Sequence, residues 1–236
     1  MLRSLRQELK SFADSNRASS SARYFKTGKG EYGEGDVFLG VTVPETRKMA
    51  KKYQELAFSE LSVLANSKFH EERLTALHIL NIKYSKAETN AERVELFEFW
   101  LDLVSRNKVN NWDLIDSSAP YLGEILSRHL GYGAPFIHGL ATSNNLWERR
   151  AAIILTFPLI KINKFGPTIA VAKDLLHDEH DLIHKAVGWM LREVGKRDKE
   201  KLIHFLNQYA SVMPRTMLRY AIEKLNQKER KFYLDL

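Results

Sequence analysis

Near the middle of the chain, the run Asn110-Asn111-Trp112-Asp113-Leu114-Ile115-Asp116 puts an indole and a carboxylate four residues apart. On a helix, residues at that spacing share a face, one turn apart. An aromatic plane beside a carboxylate suits a bound cation, or a transition state that develops positive charge. A plainer reading exists. Asp113 and Asp116 can be first-turn acids that complement a helix dipole, and a tryptophan can be core. Asparagines and aspartates surround Trp112, which speaks against core. Trp100 and Trp147 sit among apolar residues and are expected inside. Asp113, on another face from Trp112 and Asp116, is read as the capping acid.

Further along, cations and indoles recur: Trp147, Arg149 and Arg150, then Lys185, Trp189 and Arg192, then Arg215 and Arg219. Lys185–Trp189 and Arg215–Arg219 are again four-residue pairs. Cations so spaced suit backbone phosphates, and tryptophan faces suit bases, sugars or a cationic ligand. Gly188, just before Trp189, allows close approach by a ligand or by a second helix. His177, His180 and His184 lie at three- and four-residue spacing but at a loop and helix start, and they form no complete metal-ligand set. No Ser-His-Asp order stands out. The glycine-rich segment 28–36 lacks the Lys-Ser/Thr ending of a phosphate loop and reads as a surface loop.

These residues need elements to hold them, and the hydrophobic spacing gives almost only helices. An amphipathic first helix covers 2–13. Polar residues 15–21 cap a turn at 22–26. Thr42, Pro44 and Glu45 carry the signature of a helix start. Further helices are expected over 44–54, 58–66, 70–84, 90–106, 111–129, 133–141, 146–161, 166–177, 180–196, 199–210 and 214–226, with no alternating strand. Glu72-Arg73-Leu74-Thr75-Ala76 aligns with Glu148-Arg149-Arg150-Ala151-Ala152 at an offset of 76, and Arg150-Ala151-Ala152 with Lys185-Ala186-Val187 at 35. A period in the high thirties predicts an all-α fold: an α-solenoid of HEAT-like helical repeats with a concave basic face, as a single domain over 1–236.

The 236 residues carry a net charge of +7, with 44% hydrophobic and 28% charged residues, so the chain is globular rather than disordered. Residues 146–236 hold 17 Lys and Arg against 11 Asp and Glu, leaving 19 against 18 for residues 1–145. The positive field therefore belongs to the C-terminal part, which favours a polyanionic partner, nucleic acid before membrane. Cysteine is absent, excluding disulfides and thiolate chemistry. No apolar run is long enough to span a membrane. The N-terminal residues lack a signal-peptide core, and a cytoplasmic location is expected.

Four segments together resemble the HEAT-repeat DNA alkylation repair family, the AlkD-like alkylpurine DNA glycosylases. They are Arg23-Tyr24-Phe25-Lys26 followed by Phe38-Leu39-Gly40-Val41; Trp112-Asp113-Leu114-Ile115-Asp116-Ser117; Trp147-Glu148-Arg149-Arg150-Ala151; and Lys185-Ala186-Val187-Gly188-Trp189-Met190-Leu191-Arg192-Glu193. The resemblance implies excision of cationic N3- or N7-alkylated purines from double-stranded DNA by a monomeric, cofactor-free hydrolase. By position it implies Asp116 as the catalytic carboxylate, Trp112 and Trp189 as aromatic walls, Arg150 on a phosphate near the lesion, and Tyr24 on the N-terminal side. Lys185, Arg192, Arg215 and Arg219 are the further candidates for DNA backbone contacts. The glycine-rich insertion is longer than in the shortest relatives. Some relatives only bind DNA, so a non-catalytic binder of bent or branched DNA is the alternative.

Overall fold

The computed structural model describes residues 1–236, Leu130 by its backbone alone. Among the described residues the secondary structure is helical, apart from one isolated bridge between Val37 and Phe69. The fold class is all-α, of the α-solenoid type. Contacts cluster into two compact units, Met1–Ser118 and Ala119–Leu236.

The first unit comprises α1 (Leu2–Ser11), α2 (Ser15–Tyr24), α3 (Val43–Lys52), α4 (Phe58–Ala65), α5 (His70–Lys86), α6 (Asn90–Ser105) and the start of α7 (Trp112–Leu122). Its centre is α5, which is buried on nearly every side, including its polar residues His70 to Arg73. α3, α4 and α6 pack around it, and α1 lies on α3 and α4. Glu71 is tolerated there because its carboxylate accepts the N–H groups of Leu39, Gly40 and Val41 at 2.8, 2.8 and 3.2 Å. Gly40, at φ 79°, allows that turn; a side chain there would strike the Asp14 carbonyl. The Glu45 carboxylate accepts from both the amide and the hydroxyl of Thr42, opening α3 where the sequence places it.

The second unit runs through the rest of α7, then α8 (Ile125–Arg128), a 3-10 turn (Leu130–Tyr132), α9 (Ala134–Ala141), α10 (Leu146–Ile154), α11 (Phe157–Lys161), α12 (Gly166–Asp174), α13 (Asp181–Arg197), α14 (Lys199–Tyr209), α15 (Arg215–Ala221) and α16 (Gln227–Leu234). α13 is its spine, packed by α10, α11, α12, α14 and α15. Among the described residues, no helix is long and apolar enough to cross a membrane.

The repeat register is visible in hydrogen bonds. Arg73 donates to the Ser67 carbonyl at 3.0 Å, Arg149 to the Ser143 carbonyl at 2.9 Å, and His184 Nε2 to the Asp178 carbonyl at 2.5 Å. Each bond ties a helix back to the carbonyl six residues earlier, at offsets of 76 and 35. Ser67, Ser143 and Asp178 in turn accept the amides of Phe69, Asn145 and His180, the residues that cap α5, α10 and α13. His180 and His184 are thus fasteners of the repeat.

Three sequence expectations need correction, and for one further helix, α16, there is no expectation. Residues 15–24 form a helix: Asp14 caps it at 2.8 Å, and Ser19 and Ser20 turn their hydroxyls to carbonyls four residues back. The helix expected over 111–129 is divided into α7 and α8 at Gly123 and Glu124, and residue 123 must be glycine because a Cβ there would clash with the Leu155 carbonyl. The helix expected over 146–161 divides before Phe157, since Pro158 has no N–H for the Ile154 carbonyl. α16 has no broad apolar stripe; an Asn226–Glu229 capping box and buried Tyr233 define it.

Candidate active site

α7 carries Trp112 and Asp116 on successive turns, and the first unit fixes this segment from several directions. Asn81 of α5 donates to the Ser117 carbonyl at 2.8 Å, and the buried Trp100 of α6 donates to the Ser118 hydroxyl at 2.9 Å. At the other end, the Asp113 carboxylate meets His70 Nε2 at 2.8 Å. Asp116 lies half-buried between these anchors.

Trp112 is half-buried, and one face of its indole is covered. Phe25 stacks on it at 5.4 Å and 25°. Phe38 stacks on Phe25 at 5.1 Å, and His70 on Phe38 at 4.5 Å, so an aromatic column leads from α7 to α5. Tyr24, 65% exposed, presents its ring edgewise to Trp112 at 6.1 Å. The structure thus brings Tyr24 and Trp112 together. Phe25 is held by Gly33: a side chain at Gly33 would collide with the Phe25 and Lys26 carbonyls. The glycine-rich loop closes on itself, Glu31 and Glu34 accepting the amides of Gly28 and Gly30 at 2.8 Å each. Those amides serve the loop's own acids, and the loop ends by delivering Asp36 inward.

Asp36 is the main surprise of this unit. Its Oδ2 meets His70 Nδ1 at 2.7 Å and its Oδ1 accepts Arg73 Nη2 at 2.5 Å, with Asn110 also on that nitrogen at 3.0 Å. His70 therefore stands between two carboxylates. Burial pushes its imidazole down, but Asp113 and Asp36 outweigh burial and hold it at about 9. Burial pushes Asp36 up, but His70 and Arg73 keep its carboxyl below the usual value. Sequence reasoning sets Asp113 aside as a capping acid. It does lie in the first turn of α7, yet its carboxylate also serves His70.

In the second unit, the candidates sit on or beside α13. Arg150 of α10 is 4% exposed and donates to the Leu182 carbonyl. Lys185 pairs with Asp181 at 2.6 Å, and Arg192 pairs with Glu223. The Trp189 indole donates to Glu193 at 3.2 Å and lies 6.1 Å from Phe157. Gly188 is where α15 crosses: a Cβ there would be 2.5 Å from the Met217 carbonyl and 2.5 Å from Tyr220 Cβ. The close approach that Gly188 allows is therefore helix on helix. Arg215 and Arg219 project from α15 as exposed residues, Arg215 also donating to the Leu234 carbonyl at 2.7 Å. Trp100 and Trp147 are core, as their surroundings predict.

The sequence profile of the family described as DNA alkylation repair enzyme matches residues 5–225, nearly the whole chain. The chain belongs to the DNA alkylation repair enzyme family. Solved structures share its fold. A predicted DNA alkylation repair enzyme from Enterococcus faecalis superposes with a TM-score of 0.70 at 19% identity, covering 91% of this chain and 97% of that one. The crystal structure of AlkD2 from Streptococcus mutans gives a TM-score of 0.55 at 19% identity, covering 95% and 97%. No curated protein sequence matches.

Within this DNA alkylation repair family member, His70 and Asp36 were not legible as site residues. His70 opens a helix whose first turn is acidic, and Asp36 ends a loop that reads as surface. Residues 34 and 43 positions from His70 come together on it, a separation no local pattern reports. The one available signal is an aspartate closing a glycine-rich segment whose other acids are accounted for locally.

Proposed function

We propose that this DNA alkylation repair enzyme is a monofunctional DNA glycosylase for purines made cationic by alkylation at N3 or N7. The observation that carries the reading is the Trp112–Asp116 pair, one turn apart on a helix tethered on either side of Asp116, with the exposed Tyr24 ring beside Trp112. Family membership and the basic second unit support it.

The chemistry follows from charge. An alkylated purine is already a cation, so its glycosidic bond is weak. As that bond breaks, its electron pair goes to the purine, which leaves neutral, and the sugar becomes oxocarbenium-like. The Asp116 carboxylate stabilises that charge and orients the water whose oxygen bonds to C1′, the water's proton passing on to solvent. Trp112 and Trp189 offer aromatic faces to the cationic base or sugar. Lys185, Arg192, Arg215 and Arg219 hold DNA phosphates, phosphate replacing the carboxylate partners of Lys185 and Arg192; Arg150, buried on the Leu182 carbonyl, reaches a phosphate only by giving up that bond. In this reading the 236 residues act as one HEAT-like repeat domain, a monomer on double-stranded DNA.

The test is release of 3-methyladenine and 7-methylguanine from methylated DNA. Asp116→Asn is expected to lower the single-turnover rate on the order of 10²–10³-fold. Equal release by wild type and Asp116→Asn sinks the assignment. Salt-sensitive binding to bent or branched DNA, with no base released by wild type, points instead to a non-catalytic DNA binder.

A further inference from the structure

The buried cluster at the root of α7 contains two acids and two bases. Ionised carboxylates only accept hydrogen bonds. With Asp36 at one ring nitrogen and Asp113 at the other, His70 carries protons on both and is an imidazolium. Arg73 balances the second carboxylate, so the charges of Asp36, His70, Arg73 and Asp113 cancel. The two acids are not equivalent. Asp36 is fully buried and also held by Arg73, whereas the Asp113 side chain is 17% exposed, and its second oxygen has no protein hydrogen bond. A neutral imidazole has one N–H and one lone pair, and a lone pair facing a carboxylate is repulsive. Loss of the proton therefore releases the more weakly held partner, Asp113.

Asp113 is the residue next to Trp112 and three before Asp116. We propose that His70 is a positioning residue: clamped between Asp36 and Asp113, it fixes the first turn of α7 and thereby the orientation of the Trp112 ring and the Asp116 carboxylate. The inference rests on the glycosylase reading for its consequence, though not for its geometry. The aromatic column of Phe38 and Phe25 gives His70 a second route to Trp112. Three other charged groups near His70 are engaged, and His78, which burial and Arg47 hold at about 4 although Asp113 raises it, stays neutral throughout the range in which His70 titrates. On α5, Glu71 caps three amides and Glu72 pairs with Arg6 at 2.9 Å. On α2, Arg17 donates to the Gly40 and Phe12 carbonyls. The switchable contact is the one to α7.

His70→Gln is expected to lower the single-turnover base-release rate by about 10- to 100-fold, the penalty of misplacing reacting groups, while DNA affinity stays within about twofold because phosphate contacts dominate it. The wild-type rate falls as pH rises through about 9, and the His70→Gln rate lacks that limb. Asp113→Asn, which keeps an acceptor oxygen for His70, retains more rate than Asp113→Ala. The spectroscopic readout is the Trp112 indole N–H resonance, assigned with Trp112→Phe: in wild type it moves with His70 deprotonation. Wild-type rate and an unmoved Trp112 resonance in a folded His70→Gln protein overturn the proposal. Where His70→Gln does not fold, equal rates for the two Asp113 variants overturn it. Where wild type releases no base, the glycosylase reading falls, and the Trp112 resonance alone decides whether His70 positions α7: movement supports the proposal, no movement overturns it.

Discussion

Asp113 and Asp116 are the same residue type, three positions apart on one helix, and their neighbours separate their roles. Asp113 faces a buried imidazolium, whereas Asp116 sits one turn beyond Trp112 between the anchors of α7. The His70 pair has a pH signature. Its folded pKa, about 9, lies above the ordinary 6.5, so its contribution to stability is fully present below about 6.5 and is lost as pH rises through about 9. Asp36 runs the other way: its carboxyl is held below 3.8, so its contribution is present above that value and is lost as pH falls through the depressed one. Urea denaturation at pH 7 and pH 10 is expected to show wild type losing more stability than His70→Gln over that interval. At pH 7, Asp36→Ala, which leaves Arg73 buried without a carboxylate and His70 with Asp113 alone, costs about 3–5 kcal/mol. A cost below about 1 kcal/mol contradicts the buried-pair description.

At the scale of elements, the α13–α15 crossing is the most constrained contact near a candidate residue. Gly188→Val places a branched side chain against the Met217 carbonyl and Tyr220 Cβ. Thermal unfolding is expected to report a loss of about 1–3 kcal/mol, and an unchanged midpoint shows that the crossing yields. Helix existence was legible wherever an apolar stripe or a cap spoke for it: Thr42 with Glu45 announces α3, and the strongly periodic 181–197 announces α13. Legibility failed once for a local reason and once for a tertiary one. The serines of α2 satisfy themselves on their own helix, and Gly123, at the break after α7, is required by a carbonyl 32 residues away. The candidate site divides the same way. The Trp112–Asp116 spacing is local and could be read. The support beneath it, from Asp36, His70, Phe25 and Asn81, comes from distant parts of the chain and could not.

At the scale of the molecule, charge sets the expectation. Residues 146–236 hold most of the excess positive charge, so DNA binding is expected to weaken linearly with log salt. Arg219→Ala should lower the slope by about 0.9, one phosphate contact, while Lys51→Ala in the first unit leaves it unchanged. An unaltered slope for Arg219→Ala removes that residue from the DNA contact. The clamp on His70 has one more consequence, for chemical survival. Agents that alkylate purines also attack thiolates and neutral imidazoles. This chain has no cysteine, and the histidine beneath its α7 turn has both nitrogens protonated and enclosed, leaving no lone pair to attack. Exposed His129, His138, His177 and His204 would take up an electrophile first. The protein would then meet the reagents whose damage its family repairs with the ring beneath α7 already protected, and modification of His70 would mark molecules that have unfolded.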